Sequence, residues 1–309
     1  MRELIEGTTA YAVFSGDIDS KRISHAYMLH FQDAENMRAA LKIFALKFFD
    51  VREDGPVGRR IINETFPDLR IFPEEGKKLS VESATLLLAD SVLRPLEGDR
   101  KLFIISGFND ATPLIQNKLL KTLEEPPEGV YFLLGATTLA PVLDTVKSRV
   151  KTLTIAPFSE ADIFNALERK EKNPLNRQAA ESCGGIFGVA RNMVNGGWFD
   201  EVSKAAEEIC SATDVGKAGQ IAVKYGDIKY KAELLSAIAL NYSRALNEKV
   251  QQKEGAVAAC FEVPALMYAL KSVDKAGRDL KFNAFFQGLL FDLMVRIIEE
   301  NDRWLKLRA

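Results

Sequence analysis

Short, unbroken apolar runs recur through the first half of the chain: "AYMLH" at 26–30, "LRIF" at 69–72, "KLFIIS" at 101–106, "VYFLLGATT" at 130–138 and "RVKTLTI" at 149–155. A strand with one wet face alternates apolar and polar residues, whereas a strand buried on both faces reads as a continuous apolar run. Helical patterns separate the runs. Leu41, Phe44, Ala45 and Phe48 recur at helical spacing. Residues 80–94 carry Val81, Ala84, Leu87, Leu88 and Val92 on one side, with Ser80 placed as N-cap. Thr112-Pro113 is an N-cap followed by a first-turn proline, opening a helix through Leu119, Leu120 and Leu123. Pro126 ends that helix near Glu124, because the residue before a proline is driven out of helical conformation. Strand and helix in alternation, with buried strands, predict an α/β fold with a parallel sheet covered on both faces.

After Pro157 the strand signals stop. Ser159 and Asp162 have capping-box spacing ahead of Ile163, Phe164 and Leu167. "ESCGGIFGVARNMVNGG" reads as helix, glycine break, helix. From about residue 201 the pattern is helical throughout, with stripes at Leu234, Leu235, Ile238 and Tyr242, and at Phe285, Leu289, Phe291, Leu293 and Ile297. Three parts are expected: an α/β domain at 1–157, a small helical domain at 158–200 and a helical domain at 201–309.

Composition narrows the function classes. The chain has 309 residues, too many for one ordinary domain, with 41 Lys and Arg against 43 Asp and Glu. A net charge of -2 argues against nucleic-acid binding by bulk charge. Cys183, Cys210 and Cys260 are far apart and form no C-x-x-C pair, so buried reduced thiols are expected rather than a zinc site or disulfide framework. "MRELIEGTTAYAV" lacks the apolar core of a signal peptide, and no apolar run reaches membrane-spanning length, so a cytoplasmic protein is expected.

The turn after "AYMLH" is where a nucleotide-binding α/β protein keeps its phosphate loop, G-x-x-x-x-G-K-[ST], with glycines for backbone N–H access, a lysine for charge and a hydroxyl for magnesium. Laid over residues 31–38, that pattern meets Phe31, Asn36, Met37 and Arg38. The acidic pair that would hold magnesium after a buried strand is also missing: "LFII" runs into Ser106 and Gly107, with no carboxylate before Asp110. Two separate losses predict no bound nucleotide and no metal. His25 and His30 are the only histidines, and strand spacing puts them on opposite faces; one packed and one exposed is the expected arrangement. "GGIFG" at 184–188 has the wrong spacing for a dinucleotide loop and follows no strand, and "KRISH" and "GRRI" read as solvated surface.

"NKLLKTLEEPPEGVYFLLGATT" together with "KSRV" at 147–150 resembles the clamp-loader branch of the AAA+ proteins, which carry a leucine-rich helix ending in L-E-E-P-P, a strand ending in A-T-T and a short helix ending in S-R-C. "FPDLRIFPEEGKKLSVESATLLLADSVLRPLEGDRKLFIIS" and "SHAY" are similar to the same family upstream, and "CGGIFGVARNM" to its delta-prime branch, with Gly188 where ATP-binding relatives place a lid arginine. The resemblance covers roughly residues 20–195. It implies an AAA+ domain, a helical lid and a helical collar through which subunits assemble. It also implies a non-hydrolysing member of the DNA polymerase III clamp loader, in a five-part ring with delta and three ATP-binding gamma or tau subunits. That ring loads the sliding clamp onto primed DNA within the nucleoid-associated replication machinery. The S-R-C arginine of the family reaches a neighbour's ATP; the matching residues here are Ser148 and Arg149, with Val150 in place of the cysteine. Thr137 and Thr138, one of which orients the attacking water in ATP-binding relatives, are expected to be a strand terminus only. Lys118, Lys121, Glu124 and Glu125 face a neighbour or water. The four-cysteine zinc module of many relatives has no counterpart in residues 50–80, and no zinc is expected. Two alternatives stay open at the level of sequence: an active AAA+ ATPase with an unusual loop, and a scaffold outside replication.

Overall fold

The computed structural model describes residues 1–253, 255–280 and 285–308; residues 254, 281–284 and 309, all within the expected collar segment, lie outside the described residues. The chain forms two compact units, Met1–Arg191 and Asn192–Ala309.

The first unit holds five strands: β1 (Ala26–Phe31), β2 (Leu69–Phe72), β3 (Lys101–Ile105), β4 (Val130–Ala136) and β5 (Lys151–Ile155). All pairings are parallel, in the order β2-β3-β4-β1-β5. Ten helices accompany them: α1 (Arg2–Glu6), α2 (Thr9–Asp19), α3 (Met37–Phe48), α4 (Pro56–Ile62), α5 (Val81–Ser91), α6 (Pro113–Glu124), α7 (Asp144–Lys147), α8 (Glu160–Glu168), α9 (Asn176–Ser182) and α10 (Phe187–Asn195). Alternate strand residues enter opposite cores, as the pleat requires. Tyr27, Leu29 and Phe31 join Ile5, Phe14, Phe44 and Ile61 in one layer. Ala26, Met28, Phe103 and Phe132 join Leu87, Ile115, Leu119 and Leu123 in the other. The expected fold class, a parallel α/β sheet followed by helices, is the one observed.

The helix starts follow the sequence. The hydroxyls of Ser80, Thr112 and Ser159 accept hydrogen bonds from the N–H groups of Ser83, Ile115 and Asp162. Some expectations need correction. The fifth helix stops at Ser91, so Val92, expected inside, is exposed. The last strand starts at Lys151, which leaves Arg149 in the turn before it. His25 and His30 are both half-buried rather than one packed and one exposed: His25 precedes β1, and His30 lies next to its carboxyl end. Cys183 and Cys210 are buried, whereas Cys260 is half-buried.

The second unit is helical: α11 (Phe199–Cys210), α12 (Val215–Tyr225), α13 (Lys231–Val250), α14 (Ala256–Cys260), α15 (Val263–Leu280) and α16 (Phe286–Arg308). Leu234, Leu235, Ile238 and Tyr242 are buried as expected. On α16 the inward stripe is Leu290, Leu293, Met294, Ile297 and Ile298, while Phe285 and Phe291 are exposed. Phe285 precedes the helix, and Phe291 falls outside the stripe that a 3.6-residue period keeps on one side. Among the described residues, no helix is long and apolar enough to cross a membrane.

One buried carboxylate fixes the connection between α5 and β3. Asp68 is fully buried and accepts the backbone N–H groups of Leu96, Glu97 and Gly98 at 2.6, 2.9 and 2.8 Å. Replacing it with alanine would strand three N–H groups against a cavity. Asp68→Ala is expected to lower the unfolding free energy of the α/β unit by about 3 kcal/mol in urea titration; a loss well under 1 kcal/mol would show that the loop re-forms its bonds without it.

Candidate functional site

In a parallel sheet, ligands bind beyond the carboxyl ends of the strands, where successive connections diverge. At that edge the loop 32–36 leaves β1, Ser106 and Gly107 leave β3, and Thr137 follows β4. A helix N-terminus pointing at such a place is a ready anion site. Here the chain's own carboxylate occupies it.

Asp33 is 1% exposed and lies just ahead of α3. Its Oδ1 accepts the Asn36 backbone N–H at 3.1 Å, and its Oδ2 accepts Asn36 Nδ2 at 2.7 Å. The Asp33 Oδ2 atom also accepts the backbone N–H of Gly188, in the first turn of α10, at 2.7 Å. One carboxylate therefore serves the N-termini of two helices and ties them together. Gly188 is required by the closeness of this approach: a Cβ there would lie 2.5 Å from Asp33 Oδ1 and 2.9 Å from Asn36 Nδ2. A second, exposed contact joins the same elements, Arg191 to Glu35 at 3.4 Å.

The remaining loop positions are filled or engaged. Phe31 is buried and packs edge-on against Phe158, centroids 6.0 Å apart. Met37 is buried over β4, where a Cβ on Gly135 would meet its Sδ at 2.8 Å. Arg38 is turned to the protein: its Nε donates to Glu64 Oε1 at 2.7 Å, its Nη1 to the Pro73 carbonyl at 2.9 Å, and its Nη2 to Glu64 Oε2. Lys42 Nζ reaches the same carboxylate at 2.7 Å. Partial burial works to raise the Glu64 carboxyl, but the hydrogen bonds from Arg38 and Lys42 outweigh it and hold it below the ordinary glutamate value.

At the ends of β3 and β4, Gly107 takes a left-handed conformation with φ 71°. The chain can then turn so that Asn109 Oδ1 accepts Thr137 N–H at 2.9 Å and the Thr137 hydroxyl at 3.3 Å. The Ser106 backbone N–H goes to the Phe72 carbonyl at 2.7 Å.

Arg149 lies elsewhere. Lys151, two residues on, pairs with Tyr27 near the start of β1, whereas the loop 32–36 leaves the far end of that strand. At about 3.3 Å per residue the two places are separated by on the order of 15 Å along the sheet. Arg149 therefore stands at the amino edge. Its Nη1 donates to the Thr145 carbonyl at 2.8 Å and to Ser148 Oγ at 3.0 Å, and its Nε and Nη2 face the carboxylate of Glu124 at the end of α6. The segment leading to Arg149 is also held from α6: the buried amide of Gln116 donates to the Ala111 and Pro141 carbonyls and accepts the Leu143 N–H at 2.9 Å. Glu124, expected to face a neighbour or water, is exposed and at the same time pairs with Arg149. Sequence reasoning gave no role to Asp33, Asn109 or Gln116. The Asp-x-x-Asn spacing of an Asx turn was the available signal for the first, while the partners of the other two lie 25 to 28 residues away.

Residues 7–159 match the family model described as DNA polymerase III, delta subunit. Over these residues the chain belongs to the clamp-loader family. Among clamp-loader relatives, the DNA polymerase III subunit delta' of Bacillus subtilis (strain 168) is 28% identical over 163 residues, covering 51% of this chain and 50% of the relative. The subunit delta' of Yersinia pestis is 36% identical over 93 residues, 29% of this chain and 27% of the relative. The DNA polymerase III subunit gamma of Buchnera aphidicola subsp. Schizaphis graminum is 30% identical over 95 residues, 31% of this chain and 26% of the relative. The chain thus spans about half the length of the first of these relatives and about a quarter of the other two. A solved DNA polymerase III gamma subunit-related protein from Thermotoga maritima covers 94% of this chain and 99% of its own at 14% identity, with a TM-score of 0.46, too slight a likeness to add to the clamp-loader assignment.

Two measurements test the closed loop. Gly188→Ala pushes a methyl group onto a buried, hydrogen-bonded carboxylate, and is expected to cost about 1–3 kcal/mol in urea unfolding; an unchanged midpoint would mean that Asp33 can move aside. A carboxylate held below its usual value stabilises the fold above that value and loses its effect as pH falls through the lowered one. The stability difference between the wild type and Glu64→Gln is therefore expected to be full near neutral pH and to shrink below the usual glutamate range. A difference that stays constant across that range would break the assignment.

Proposed function

We propose that this chain is a non-hydrolysing subunit of the DNA polymerase III clamp loader, which supports ATP-driven loading of the sliding clamp onto primed DNA. It would supply Arg149, backed by Ser148, to the ATP site of a neighbouring subunit. The observation that carries this reading is the contrast between the two edges of one sheet. At the carboxyl edge, Asp33 fills the anion position at the start of α3 and Phe31 and Met37 fill the space around it. At the amino edge, Arg149 remains one-third exposed. The distance between the edges supports an arginine that acts on another subunit's phosphate rather than on a nucleotide of its own. A guanidinium there stabilises charge developing in phosphoryl transfer.

The partners follow from the same reading: delta and the ATP-binding gamma or tau subunits, with the clamp and primed DNA reached through the assembled complex. Head-to-tail contacts, in which the amino edge of one subunit meets the carboxyl edge of the next, are the kind that generate rings. The helical lid at 158–200 would close over the filled loop, and the collar at 201–309 would hold the ring together.

Reconstitution with the cognate subunits tests the role. A trans arginine is worth on the order of 10³-fold or more in turnover, so Arg149→Ala is expected to silence one neighbouring site. With three ATP sites the clamp- and DNA-stimulated rate then falls by about a third if the sites fire independently, and further if they are coupled. An unchanged rate would refute the trans role. Calorimetry of the isolated chain with Mg-ATP is expected to show no binding at micromolar concentrations; micromolar affinity would instead establish an active site in this chain.

A further inference from the structure

Glu124 ends α6, and its carboxylate covers the Nε and Nη2 side of Arg149. We propose that Glu124 is a positioning residue that holds Arg149 in reserve, its carboxylate standing where a phosphate oxyanion of the neighbour's nucleotide would bind. The inference rests on the trans role of Arg149 and adds to it a named competitor.

Counting donors carries the proposal. A guanidinium has five N–H groups and grips an anion by two parallel ones. Both hydrogens of Nη1 are taken, one by the Thr145 carbonyl and one by Ser148 Oγ. The Ser148 hydroxyl is itself fixed by donating to the Thr145 carbonyl at 3.1 Å. Nε donates to Glu124 Oε1, and Nη2 stands in ion-pair contact with the same oxygen. With Nη1 and Nε both engaged, no second N–H is free to join Nη2 in a two-point grip. An anion can therefore be held by the fork only on the edge that Glu124 covers, and the two negative groups exclude each other there. Exchange keeps the aim of the arginine, because the Nη1 side stays anchored to its own turn while the other side changes partner.

The exchange is cheap. The side chains of Arg149 and Glu124 are 33% and 44% exposed, and exposed pairs contribute little because water and salt screen them. A phosphate brings more charge than a carboxylate, so it wins the edge once it is presented at close range, while the carboxylate keeps the arginine folded back when no nucleotide is there.

The reconstituted complex with clamp and primed DNA provides the test, reading kcat/KM for ATP. Glu124→Gln keeps the shape and removes the competing charge; Glu124→Ala removes the group altogether, and thermal midpoints of both confirm folding. Both are expected to raise kcat/KM at the one site that Arg149 serves by about two- to fivefold, the range an exposed ion pair can withhold, so that the value for the whole complex rises about 1.3- to 2.3-fold if three sites act independently. The gain is expected to vanish in an Arg149→Ala background. A purely structural contact would lower the value when removed. An unchanged or lowered kcat/KM overturns the proposal, as does a gain that persists without Arg149, since Glu124 would then act elsewhere. If Arg149→Ala alone leaves the stimulated ATPase untouched, it is the trans role itself that fails.

Discussion

The carboxylate of Asp33 is the contact on which the rest of the site depends. Helix N-termini carry unpaired N–H groups and a positive dipole end, and both ask for an anion. In this chain α3 and α10 begin close to one buried oxygen pair and share it. Everything else at the carboxyl edge follows from that closure. Phe31 and Met37 are buried beside it, and Arg38 is engaged by Glu64.

The helix α6 runs from the carboxyl edge of the sheet, after β3, to its amino edge, before β4. Its amino-terminal half carries Gln116, which fixes the loop before α7, and its last residue carries the carboxylate against Arg149. The leucines between them, Leu119 and Leu123, lock the helix to the sheet. The helix thus sets both the place of the arginine turn and the state of its side chain. That gives physical content to the length and regularity of this segment, which packing alone would not demand.

Much of this was legible in the sequence, for an identifiable reason. Buried strands write themselves as apolar runs, and caps such as Ser80, Thr112 and Ser159 sit beside the helices they start. What was not legible depends on distance. Gly188 and Asp33 are 155 residues apart, and Arg149 and Glu124 are 25 apart. A single aspartate in a polar turn carries no mark of burial, and a glutamate in a helix reads as solvated until its partner is known. The exposed Phe285 and Phe291 show the converse error, in which an apolar residue near a stripe is counted into it. The helices α1, α2 and α4 were missed because they are short or only weakly amphipathic.

The close contact at Gly188 also bears on how substitutions here would combine. A side chain placed at 188 collides with Asp33 and Asn36, while a loop 31–38 rearranged to move Asp33 away would remove the carboxylate that the first turn of α10 leans on. Each change is unfavourable while the other is not made, which is the signature of strongly coupled positions. The two sides of this contact therefore constrain each other through geometry: what position 188 can carry depends on where the Asp33 carboxylate sits.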